Sequence, residues 1–149
     1  MASGGLLSRL ILFAAGLAGA LGILALAAGA HGSGSPSGGG DLTTAGWMLT
    51  IHAGVLVAIA TSSKAWRLLR FSGLIIGAGA WLFGGDLIWR DFVGEPLFTN
   101  AAPTGGMLLI AGWLILALSA LLPNRQAERR VESYMTHRSP GPREDLLAD

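Results

Sequence analysis

The chain has 149 residues, no cysteine, and only 13% Asp, Glu, Lys and Arg, about half the usual charged share. Its 52% hydrophobic content and 23 glycines exclude disorder over most of the length, and without Cys there is no disulfide framework, thiolate metal site or iron–sulfur cluster. A net charge of +1 argues against a nucleic-acid binder, which normally carries a clear basic excess.

Charge is absent from four stretches, 10–40, 42–63, 71–85 and 96–124. A helix needs about 20 mainly apolar residues to cross roughly 30 Å of hydrocarbon. The first predicted span covers 10–30, behind Arg9. It is longer than the ~7–15-residue apolar core of a secretory signal, so it reads as an anchor although Ala28-Gly29-Ala30 imitates a cleavage site. Residues 32–41, rich in Gly and Ser, read as a flexible connection. The second span, 43–63, is the least apolar and contains His52. After a tight turn at 64–70, the third runs over 71–89 with Asp86 near its end. The fourth covers 103–122, with Asn100 as N-cap, Pro103 in the first turn and Pro123-Asn124 as the stop. From residue 124 a tail follows, with a short helix expected over 127–136 and disorder over 139–149. The expected fold is all-α: a four-helix antiparallel transmembrane bundle over residues 1–123.

Orientation follows from Lys and Arg. With four crossings, nine of the ten basic residues share one side with both termini, and Arg90 stands alone on the other. Both termini are therefore expected in the cytoplasm, and Trp66 and Trp89 at the membrane interfaces, with Trp47, Trp81 and Trp113 expected to pack.

Helices in lipid associate through small residues that allow close approach. Gly16, Ala20, Ala27 and Ala30 fall on one stripe of the first span. Gly73, Gly77, Ala80 and Gly84 do so on the third, and Gly105, Gly112 and Ser119 recur every seven residues on the fourth. These stripes serve helix contact within the bundle or self-association.

Ionisable groups at membrane depth are costly and so are candidates for function. His31 ends the first span, His52 lies about 12 Å inside the second, and Asp86 sits near the end of the third. All three fall toward one end of the bundle, where they are expected to form a polar cluster. For Asp86 two readings stand: an ion pair with Arg90, four residues on, or membership of an internal network. On an unbroken helix Asp86 points nearly opposite the glycine stripe, toward water or headgroups. A bis-histidine haem or a zinc site of two His and one Asp is chemically open, but nothing else marks either pocket. No cofactor and no metal are expected, and no Ser-His-Asp spacing, nucleotide loop or metalloprotease helix appears.

Gly29-Ala30-His31-Gly32, Ile51-His52-Ala53, Phe83-Gly84-Gly85-Asp86-Leu87, Ala102-Pro103-Thr104-Gly105-Gly106 and Ala111-Gly112-Trp113 occur in that order. This set resembles the YgdD-like small bacterial membrane proteins, a four-span family of unknown function, over roughly residues 8–122. Many members have Phe-Ser-Gly-Ser-Leu, where Gly84 and Asp86 here replace the two serines. An aromatic-rich stretch before the second-span histidine is also missing. The resemblance implies an integral inner-membrane protein and supplies no activity.

The expected role is a non-enzymatic structural or accessory subunit in the bacterial inner membrane. Its partners are the lipid bilayer and other copies or a larger membrane complex, with no nucleic acid. The alternatives are a small oligomeric transporter or channel using His31, His52 and Asp86, and a haem- or metal-binding redox protein.

Overall fold

Hydrocarbon offers no hydrogen bonds, so a crossing backbone must pair with itself, and helices do so. The computed structural model describes residues 3–31, 37–62, 67–121 and 132–135. Four long helices are present among them: α1 (Ser3–His31), α2 (Gly40–Thr61), α3 (Arg67–Val93) and α4 (Ala101–Leu121). Each is long and apolar enough to cross a membrane. Residues 132–135 are helical, inside the stretch expected to form a short helix. Residues 32–36 of the connection expected over 32–41, Lys64 and Trp66 lie outside the described residues, as do 122–131 and 136–149 of the tail. By compactness the chain divides into Met1–Ser119 and Ala120–Asp149.

Glycine contacts set the register of the bundle. A Cβ on Gly22 would stand 2.4 Å from Thr50 Oγ1 and 3.0 Å from the Gly46 carbonyl oxygen; one on Gly29 would stand 2.5 Å from Thr43 Oγ1. As α1 rises, its partners on α2 fall, so the pair is antiparallel. Gly73, Gly77 and Gly84 of α3 lie against Ile59, Leu56 and Leu49 of α2, again antiparallel. On α4, Gly105 lies against Phe83 and Gly112 against Ile75 and Ile76 of α3. The fold is an all-α, four-helix antiparallel bundle.

The stripes predicted on α3 and α4 thus form the helix seams, with Ala80 and Ser119 also buried. The stripe on α1 needs correction. Gly16, Ala20, Ala27 and Ala30 are exposed, and a Cβ on Gly16 would meet nothing within 4 Å. The α1 face that packs carries Ala15, Ala18, Gly22, Ala25 and Gly29 instead. In a span rich in Gly and Ala, two faces offer small residues, and only the second helix decides which is used. Gly79, outside the predicted α3 stripe, completes the α3–α4 seam against the backbone of Gly105 and Leu109.

Helix ends also depart from the predicted limits. The α2 start rests on Gly39, whose φ of 83° suits glycine and whose missing side chain leaves room for the Gly29 carbonyl. The Gly39 carbonyl accepts both the Thr43 N–H and the Thr43 hydroxyl. Helix α3 runs through Gly84-Gly85 without a break and continues past Asp86 and Asp91 to Val93, because both carboxylates find partners. Asn100 does precede α4, but with a left-handed backbone (φ 67°), its carbonyl accepting the Thr104 N–H.

The core is shared by all four helices: Ile11 and Ala15 of α1, Leu56 and Ile59 of α2, Ile76 and Ala80 of α3, and Leu109 of α4. Trp81 packs against a second cluster of Ala18, Leu49 and Ala53. Trp47 and Trp113, both expected to pack, are instead 56% and 44% exposed, comparable with Trp89 at 47%.

Gly46→Leu and Gly112→Leu should each lower bundle stability by about 1–3 kcal/mol, the usual cost of overpacking. Gly16→Leu and Ala78→Leu, on exposed positions, should stay within about 0.5 kcal/mol of the parent. Thermal unfolding of the four variants in detergent checks the assignment of faces.

Candidate functional site

A histidine inside a span must satisfy two ring nitrogens without water. His52, 6% exposed, does so with two helices. Its Nδ1 lies 2.7 Å from the Met48 carbonyl one turn earlier, and carbonyls only accept, so Nδ1 carries the hydrogen. That leaves Nε2 with a lone pair, which accepts from the Trp113 indole N–H of α4 at 3.3 Å. The rings meet edge to face, their centroids 6.3 Å apart. His52 therefore ties α2 to α4, and both of its nitrogens are engaged. Beside this pair a groove of about 530 Å³ runs between α2 and α4, its walls otherwise made by Met48, Gly106, Leu109, Ile110 and Leu114.

Asp86 occupies a different place. It is fully buried, and each carboxylate oxygen has a partner. Oδ2 accepts from Arg90 Nη2 at 3.0 Å, and Oδ1 accepts from the backbone N–H of Leu97 at 2.7 Å. The ion pair with Arg90 is thus present, and the orientation toward water or headgroups is corrected. The connection 94–100 folds back over the carboxylate and removes it from solvent, a long-range event that helical phase does not contain. Arg90 itself is partly exposed, with its Nε buried and unpaired.

His31 ends α1 with an exposed side chain. Among the described residues no hydrogen bond joins any two of His31, His52 and Asp86, which therefore do not form one hydrogen-bonded cluster. No group of three or more His, Asp or Glu side chains among those residues is arranged to hold a metal ion.

Two participants escaped the sequence reading. Trp113 was expected simply to pack, although an indole N–H at membrane depth calls for an acceptor, and that requirement pointed to it. Asp91 is the other: it is 3% exposed and accepts a hydrogen bond from the Ser37 hydroxyl. Ser37 Oγ also accepts from the Asp41 N–H, so one serine ties the start of α2 to the end of α3. Nothing in the local pattern pairs residues 54 positions apart.

An all-helical bundle of four apolar spans, with His52, Asp86 and Asp91 engaged in internal bonds, defines the class: a small multi-pass membrane protein. Residues 24–106, more than half of the chain, match the family described as Protein of unknown function (DUF423), and the chain belongs to that family. The matched segment includes both histidines of the helices, Asp86, Asp91 and the whole 94–100 connection. No solved structure matches the chain.

A double-mutant cycle on His52→Phe and Trp113→Phe should give an interaction energy of about 0.6–1.7 kcal/mol, the range for interhelical hydrogen bonds in membranes. His31→Ala combined with His52→Phe should be additive within about 0.5 kcal/mol. Chemical unfolding in mixed micelles measures both.

Proposed function

We propose that this protein is a non-enzymatic structural or accessory subunit of a bacterial inner-membrane assembly. The observation that carries the reading is the state of its buried polar groups: His52 Nδ1 and Nε2, and both oxygens of Asp86, are engaged in bonds that hold the fold. A ligand, proton or ion using them would have to break the contacts that position α2, α4 and the 94–100 connection. The exposed α1 stripe of Gly16, Ala20, Ala27 and Ala30 further supports an assembly, since small residues let a partner helix approach closely. The nine-to-one division of basic residues supports cytoplasmic termini.

Native mass spectrometry of gently extracted protein, with an absorption spectrum of the same sample, tests the role. A discrete assembly, of this chain alone or with another membrane protein, and no visible absorption band are expected. Gly16→Leu should dissociate it while leaving each bundle folded. A monomer alone would remove the accessory reading, and a Soret band or stoichiometric metal lost in His52→Phe would replace it with the redox one. A reporter active only in the cytoplasm, fused after Asp149, should be active.

A further inference from the structure

The buried Asp86 raises a question that the ion pair alone does not answer: why a membrane helix carries a fully buried carboxylate that accepts from a loop. Helix registers supply the geometry. Gly84 lies against Leu49 and Gly73 against Ile59, so α2 begins level with the last residues of α3; Gly29 against Gly39 and Thr43 puts the end of α1 at the same level. Helix α4 is different. Gly105 lies against Phe83 and Gly112 against Ile76, which puts Ala101 level with about Leu87. Helix α3 then continues six residues further, to Val93, or about 9 Å at 1.5 Å per residue. The connection 94–100 descends this step, and the bond from the Leu97 N–H to Asp86 holds its middle roughly 10 Å short of the α3 end.

Every residue of the connection is exposed, the polar Glu95, Thr99 and Asn100 among them, and Leu97 and Phe98 are its large apolar side chains. Leu97 is 47% and Phe98 51% exposed, beside Trp89, Phe92 and Val93 at the exposed end of α3. This patch continues the lipid-facing surface of the helices, and a Trp with Phe and Leu is the composition of a membrane-interface belt. Irregular backbone at such a depth needs protein acceptors, because water is scarce there. Asp86 supplies one for Leu97, and the Arg90 carbonyl supplies another for the Gly94 N–H.

We propose that residues 94–100 form a lipid-inserted interfacial segment, with Leu97 and Phe98 among the lipid chains and Asp86 as the internal acceptor that holds the segment there. The partner is the lipid surface itself. Charge makes the contact indifferent to headgroup type. Arg90 is the sole Lys or Arg at this end, with His31 exposed at the same level; Arg90 is partly exposed, its Nη2 is paired with Asp86 and its Nε is buried. Asp41, Asp91 and Glu95 stand at the same end of the bundle, so an anionic lipid gains little over a zwitterionic one.

The proposal rests on the membrane reading of the chain, and the test separates the two. Because the chain has no cysteine, single variants can each carry one nitroxide: Phe98→Cys, Glu95→Cys and, on the lipid-facing middle of α4, Ile110→Cys. Each is reconstituted in vesicles of phosphatidylcholine, with and without phosphatidylglycerol, and its collisions with oxygen and with a water-soluble nickel chelate are measured. The Phe98 label should favour oxygen as the Ile110 label does, equally in both lipids, while the Glu95 label favours nickel. Adding Asp86→Ala, or Leu97→Pro to remove the donated N–H while leaving Asp86 and Arg90 intact, should turn the Phe98 label toward nickel and leave Ile110 unchanged. A Phe98 label that favours nickel in the parent overturns the insertion. One shielded from both reagents shows a protein partner or second copy on the patch, and also overturns it. A Phe98 label unmoved by both added substitutions removes the role of Asp86. Nickel access at Ile110 would overturn the membrane reading, and the proposal with it.

Discussion

Backbone-to-backbone approach at glycine is the constraint on which this structure depends. Lipid chains are as apolar as leucine, so burying Leu and Ile does little to bring helices together inside a bilayer. Close packing has to do it, and a single Cβ at the wrong place prevents it. Gly22, Gly29, Gly39 and Gly46 let α1 and α2 touch along two heptad-spaced contacts. Gly79, Gly105 and Gly112 do the same between α3 and α4. Leucine and isoleucine side chains then fill the remaining gaps, as Leu49 and Leu56 do against Gly84 and Gly77.

Close packing creates a second demand, since polar atoms trapped between helices lose access to water. The structure meets it with a few long-range bonds. His52 turns one nitrogen to its own helix and the other to Trp113, so the histidine contributes a specific α2–α4 contact to a face that is otherwise apolar. Asp86 bridges its helix to the next connection, and Asp91 receives Ser37 from the connection before α2. Each bond joins segments that glycine packing alone would leave free to slide or lift. The polar residues and the small residues are therefore complementary: one set brings helices close, the other fixes ends and connections.

That division bears on function. A transport path or cofactor site needs polar groups with capacity left over; His52, Asp86 and Asp91 are engaged in the fold, while Thr50 Oγ1 and Arg90 Nε are buried without a partner. The small-residue stripe of α1 and the apolar side chains at the end of α3 are among the surfaces that stay outward.

Sequence alone determined the number of helices, their approximate limits and two of the three seams. The physical reason is that these properties are local: hydrocarbon forces a helix wherever about 20 apolar residues run together, and a heptad such as Gly105, Gly112 and Ser119 marks one face whatever lies opposite. The same locality explains the Asp86–Arg90 pair, four residues apart on one helix. Tertiary structure alone decided which face of α1 packs, because Gly16 and Gly22 are equally small and only the position of α2 distinguishes them. It decided that Asp86 is covered, because the cover is a connection eight to fourteen residues later in the chain. It paired His52 with Trp113 and Ser37 with Asp91 because hydrogen-bond partners in a membrane are chosen by helix rotation and register, which no single helix contains.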